Sequence, residues 1–193
     1  MLRLLCIRHA QSTWNALGRW QGQADPPLSA QGRLEAQALA ERLRGEGWPL
    51  AALVTSDLAR ARETAVRVGA TFGLEPEVWP ALREADVGAW SGRRTEEIEG
   101  AWPDAYSRFR AGDADLPVGG GESRRAVRAR AADAVRALER RFEGRGGTIA
   151  VVTHLGWLRA LRPGLALQNA EALVLDSAAL PEERPHVERE ARL

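Results

Sequence analysis

Residues 148–161 read TIAVVTHLGWLRAL. The first six are apolar or β-branched, and the glycines at 144, 146 and 147 break the chain just before them. So short and so apolar a run predicts a buried strand over 148–153. His154 follows the strand at once, and the spacing of residues 156–161 predicts a short helix.

The same unit recurs toward the N-terminus. Residues 2–7 (LRLLCI) predict an apolar strand bounded by Arg8, with His9 next, then the Gly-rich loop GRWQGQADPP. Ser29 is placed to cap a helix to about residue 44, with Leu34, Ala38, Leu39 and Leu43 at helical spacing. Residues 51–55 predict a short strand, and Asp57 is placed to cap a helix to about residue 72. A short strand over 77–79 precedes an irregular stretch, 80–121, with one helix near 95–110. Ser123 is placed to cap an Arg-rich helix to about 142. Residues 173–176 and about 186–190 read as a terminal hairpin. This alternation predicts an α/β protein, a three-layer α/β/α sandwich with a mostly parallel central sheet and helices on both faces. Ligands in such sheets bind beyond the carboxyl ends of the strands. That places candidate chemistry at Arg8 and His9, at residues 55–57, and at His154.

Composition narrows the function. The 193 residues fit one domain, residues 1–193. The 27 basic residues are all Arg and balance 26 Asp and Glu, which argues against a general nucleic-acid binder. Without lysine there is no Schiff base and no P-loop cation. Cys6 alone forms no internal disulfide. No run is apolar enough for a membrane helix, and residues 1–9 do not read as a signal peptide, so a cytoplasmic protein is expected.

There are three histidines, and His186 lies in a polar tail. His9 and His154 each end a core strand. Catalytic zinc takes three protein ligands, and no CxxC or HExxH motif occurs, so no metal is expected. Arg8 beside His9 favours the neutral, nucleophilic imidazole. Arg60 lies early in the second long helix, and Glu84 in the irregular stretch. Two histidines, two arginines and a carboxylate suit phosphoryl transfer without metal. Guanidinium matches phosphate oxygens, a neutral histidine attacks phosphorus, and a carboxylic acid protonates the leaving oxygen.

The segments RHAQSTWN (8–15), WQGQADPPLSAQG (20–32), SDLARARETA (56–65), LREADVGAWSGRRTEEI (82–98), GGGES (119–123) and VVTHLGWLRAL (151–161) follow in that order. In this order they resemble the histidine phosphatase superfamily, also called phosphoglycerate mutase-like. The resemblance implies His9 as the phosphorylated nucleophile, Arg8, Arg60 and His154 as the phosphate pocket, and Glu84 as proton donor. It places Ser12, Asn15, Gln21, Gly22 and Leu155 on the substrate side. It implies no cofactor, a small phosphorylated substrate, no membrane or nucleic-acid partner, and is compatible with a homodimer. Ala10 stands where the family's RHG has Gly, and Leu155 where Gly usually follows the second histidine.

The mutases of the superfamily carry a longer insertion and an ERHYG…GLNK-like stretch. This chain has a modest insertion, about 85–121, over the substrate side, which favours a broad-specificity phosphatase. The alternatives are a cofactor-dependent phosphoglycerate mutase, a phosphohistidine protein phosphatase and an inactive phosphate-sensing module. Seven of the eleven aromatic residues are Trp. Trp102, Tyr106 and Phe109 read either as packing or as an apolar wall over the phosphate pocket. Arg93 and Arg94 are candidates for a second anionic group.

Overall fold

The computed structural model describes residues 2–177. In chain order the elements are β1 (Arg3–Arg8), α1 (Thr13–Ala16), α2 (Ala30–Gly45), β2 (Leu50–Thr55), α3 (Ala59–Phe72), β3 (Glu77–Val78), α4 (Thr95–Ala101), α5 (Pro103–Arg110), α6 (Arg124–Arg141), β4 (Thr148–Thr153), α7 (Leu155–Leu161) and β5 (Ala172–Asp176). The sheet runs β3-β2-β4-β1-β5. All neighbours are parallel except β5, which pairs antiparallel with β1.

Strand β4 lies at the centre, and all six of its residues are buried. Side chains alternate across the sheet with period two. Leu4, Cys6, Ile149 and Val151 face α6 and α7, where they meet Ala131, Ala134, Leu138, Trp157 and Leu158. Leu5, Ile7, Ala150 and Val152 face α2 and α3, against Leu39, Leu43, Ala61, Ala65 and Val68. Burial of this kind stabilises by about 1.5–3 kcal/mol per large aliphatic side chain. The buried Cys6 thiol has its pKa pushed up to about 12 by desolvation. No helix among the described residues is long and apolar enough to cross a membrane.

The register fixes the site. Arg8 pairs with Thr153 across β1 and β4, and Thr55 with Val152 across β2 and β4. The N–H of His9 donates to the Thr153 carbonyl, and that of Ser56 to the Val152 carbonyl, each at 3.0 Å. Three strands therefore end side by side at one edge, and His9, Ser56 and His154 follow from them.

Two local expectations are corrected. Asp57 does not cap α3. The cap is Leu58, without a side-chain bond. Asp57 lies one residue too early and instead accepts a forked pair from Arg83, while Asp25 Oδ1 accepts the Ala59 N–H at 2.5 Å. The helix expected over 95–110 is two helices. Pro103 excludes the residue before it from helical backbone, so Trp102 sits at φ −136° and ψ 58°, and Pro103 opens α5. Helix α1 was not expected; Ser12 and Asn15 cap it reciprocally. Residues 173–176 lie in β5, whose described partner is β1, and residues 186–190 lie outside the described chain.

The stretch between β3 and α6 has its own apolar cluster. Trp90 is fully buried, with Trp20 and Phe109 edge-on at 5.4 and 5.7 Å and Tyr106 at 6.2 Å. Trp102 and Ala105 pack against the same group. Trp90→Ala should destabilise the protein by roughly 3–5 kcal/mol, as truncation of a buried aromatic does. Denaturant unfolding measures it, and a loss under 1 kcal/mol (order of magnitude) contradicts this packing.

Candidate active site

His9 stands at the end of β1 with its ring buried. Its Nδ1 lies 2.7 Å from the carbonyl oxygen of Ala10. A carbonyl only accepts, so Nδ1 carries the proton and Nε2 keeps its lone pair. That lone pair accepts from Arg60 Nε–H at 3.3 Å. The carbonyl of His9 is held by Asn169 Nδ2 at 2.9 Å, and the Ala10 N–H donates to Thr64 Oγ1 at 3.1 Å. The imidazole is fixed in tautomer and in place.

Arg60 is fully buried in α3. Its terminal nitrogens donate to the carbonyls of Ala24 and Gly22, both at 2.8 Å. The Gly-rich loop thus turns its carbonyls onto a guanidinium, and Gly22 makes the turn at φ +53° with Val87 closing the space above it. Burial brings the Arg60 pKa down to about 10, so it stays charged at neutral pH. Arg8 is half-buried and donates to the Leu167 carbonyl at 2.6 Å, while its Nε is shut from solvent without a partner among the described residues. Neither arginine forms an ion pair with a carboxylate among the described residues.

The His154 ring is 5.0 Å from that of His9, and neither of its nitrogens has a hydrogen-bond partner among the described residues. Both imidazoles are held well below their ordinary pKa, first by burial and then by the nearby Arg60 charge. Both are neutral at pH 7.

Glu84 reaches the same edge from the other side. Its Oε2 accepts the Gly156 N–H at 3.0 Å, and its Oε1 accepts from Trp157 and Ala85 at 3.1 and 2.9 Å. His154, the N-cap of α7, gives no side-chain cap, and the Glu84 carboxylate supplies one from a distant segment. A Cβ on Gly156 would lie 2.2 Å from Glu84 Oε1. The close approach after the second histidine therefore falls at Gly156. Leu155 packs against the core around α7.

Ser12 and Asn15 are spent on capping α1, and Ser12 Oγ also donates to Gln21 Oε1 at 2.6 Å. These residues form one polar group beside His9, joined through Asn169. Ala10 is buried against Leu28 and Ala36 and has no positive φ. Arg93 and Arg94 are exposed. Sequence reasoning missed Thr64, Asn169 and Arg130. Arg130 sits on α6 at helical spacing with the buried Val127, Ala131 and Ala134, the one available signal. Among the described residues, no three His, Cys, Asp or Glu side chains cluster to hold a metal ion.

The family model of the histidine phosphatase superfamily (branch 1) matches residues 4–181. The chain belongs to this superfamily. Over 160 residues it is 39% identical to the metal-independent phosphoserine phosphatase of Arabidopsis thaliana, covering 82% of this chain and 66% of that protein. Over 169 residues it is 39% identical to the glucosyl-3-phosphoglycerate phosphatase of Mycobacterium tuberculosis strain H37Rv, covering 84% of this chain and 74% of that protein. The structure of a mycobacterial glucosyl-3-phosphoglycerate phosphatase with VO3 superposes at a TM-score of 0.82, with 34% identity and 91% of each chain covered. These relatives place the chain among the superfamily's phosphatases, which hydrolyse phosphoric monoesters.

The neutral histidines set a pH dependence. Unfolded, each titrates near 6.5; folded, each does so well below that. Below about pH 6.5 the unfolded chain binds more protons, so stability falls with falling pH, by up to about 2.7 kcal/mol per pH unit for the pair. Unfolding curves between pH 7.5 and 5 should show this slope, about halved in His154→Gln. Equal slopes in both proteins would contradict two neutral buried imidazoles.

Proposed function

We propose that this superfamily member is a metal-independent phosphomonoesterase that passes the phosphoryl group through His9. The observation that carries the reading is the pairing of two arginines, neither in an ion pair with a carboxylate among the described residues, with an imidazole whose Nε2 lone pair is free of a proton. A phosphate monoester supplies the missing negative charge. Arg8, Arg60 and His154 hold its non-bridging oxygens, and Arg60 Nε–H passes from His9 to the phosphate. The Nε2 lone pair attacks phosphorus in line with the ester oxygen. As the N–P bond forms, the P–O bond breaks and Glu84, in its acid form, gives its proton to the departing alkoxide. Glu84, now a carboxylate, then takes a proton from water. The resulting hydroxide attacks phosphorus, the N–P bond breaks, and inorganic phosphate leaves.

The substrate class comes from chemistry shared by the relatives. Phosphoserine and glucosyl-3-phosphoglycerate are both 3-phosphooxypropanoates, with an amino group at C2 in one and a glucosyloxy group in the other. We place the substrate of this chain in that class. The polar group of Ser12, Asn15 and Gln21 lies on the organic side, and the 85–121 stretch covers it.

Turnover should persist with excess EDTA. Phosphoserine and 3-phosphoglycerate should exceed glycerol 3-phosphate, which lacks the carboxylate, by at least ~10-fold in kcat/KM, the scale of one lost charged contact. Equal rates contradict the substrate class. With 3-phosphoglycerate and catalytic 2,3-bisphosphoglycerate, phosphate release should exceed formation of 2-phosphoglycerate. Dominant isomerisation would make the chain a mutase.

A further inference from the structure

We infer that Arg130, braced by Glu122, is a positioning residue for the catalytic carboxyl of Glu84. The inference rests on the acid role proposed above for Glu84.

A guanidinium has five N–H donors, and Arg130 has an acceptor for each. Its Nε–H donates to Glu122 Oε1 at 2.9 Å. One terminal nitrogen donates to the carbonyls of Ala81 and Arg83, at 3.0 and 2.8 Å. The other donates to the Glu84 carbonyl at 3.2 Å and to Glu122 Oε2 at 2.8 Å. Three of the five bonds thus go to the backbone that carries the acid. Glu122 completes the grip, because its Oε2 also accepts the Asp86 N–H at 2.8 Å. Gln23 Nε2 donates to the Glu84 carbonyl at 3.2 Å.

The GGGES segment makes this contact possible. A Cβ on Gly121 would lie 2.4 Å from the Asp86 carbonyl oxygen, and one on Gly119 would lie 2.2 Å from that of Val87. Bare backbone is the only surface that fits there, and it delivers Glu122 to the acid loop.

Glu84 is consequently held at both ends. Its carboxylate sits on the first turn of α7, beside His154, and its backbone sits on Arg130. These two anchors set where the carboxyl stands relative to the two histidines. Displacement of a reacting group by about 1 Å can cost ~10²-fold in rate. The loss should fall on the steps that use the carboxyl, protonation of the departing alkoxide and deprotonation of the attacking water. Lysine has three donors on a single nitrogen and does not reproduce the planar fork.

The test compares kcat/KM, which reports the steps up to departure of the leaving group, on phosphoserine, whose alkoxide needs a proton, and on p-nitrophenyl phosphate, whose leaving group does not. Glu84→Gln, Arg130→Met, Arg130→Lys and Glu122→Gln are measured together. Arg130→Met should lose ~10²-fold on phosphoserine and under ~3-fold on p-nitrophenyl phosphate, with Arg130→Lys and Glu122→Gln between it and wild type. The Glu84→Gln/Arg130→Met double variant should be no slower on phosphoserine than Glu84→Gln alone. Equal losses on both substrates in the Arg130 variants, with Glu84→Gln selective, would overturn the positioning role and leave the acid role standing. A Glu84→Gln variant that slows both substrates equally would overturn both. If Arg130→Met does not fold, Arg130→Lys and Glu122→Gln decide by the same ratio.

Discussion

A guanidinium buried without an ion-pair partner among the described residues is the constraint around which this protein is arranged. A buried charge is costly unless it is paired or well hydrogen-bonded. Arg60 has two loop carbonyls and the lone pair of His9, and no ion-pair partner among the described residues. The carbonyls stabilise the charge without cancelling it, so the site keeps a positive potential that an anion relieves. The same potential, added to burial, keeps His9 and His154 unprotonated. One feature therefore prepares both the seat for a dianion and the nucleophile that attacks it.

The fold supplies what this arrangement needs. Two parallel pairings about the buried β4 bring three strand ends together, so residues from the two ends of the chain meet without a long-range side-chain search. His9 is held through its own backbone N–H and carbonyl, and Ala10 through its N–H. On the opposite side, Glu84 substitutes for a missing helix cap. That explains how a carboxyl from an irregular segment is placed as firmly as one from a strand.

Much of this was legible in the sequence because it follows from short-range rules. Uniform apolar runs at 2–7 and 148–153 marked central strands, and the strand-end rule then pointed to His9 and His154. Reading failed where a side chain had a distant partner. Asp57 has the chemistry of a cap, but Arg83 offers it a forked ion pair. Trp102 falls in a helical pattern, yet Pro103 beside it forbids continuation. Arg130 is one of many arginines on α6, and only the folded chain shows that three of its five donor bonds go to a loop some fifty residues earlier. Leu155 looked significant because it replaces a glycine, whereas the close contact falls on Gly156.

The central claim is that His9 Nε2 forms a covalent bond to phosphorus. It is tested most directly by rapid acid-free quench of the enzyme with ³²P-labelled substrate, followed by peptide mapping. The account predicts base-stable, acid-labile label on the peptide containing His9, and none in His9→Ala. Label on another residue, or undiminished label in His9→Ala, would contradict it.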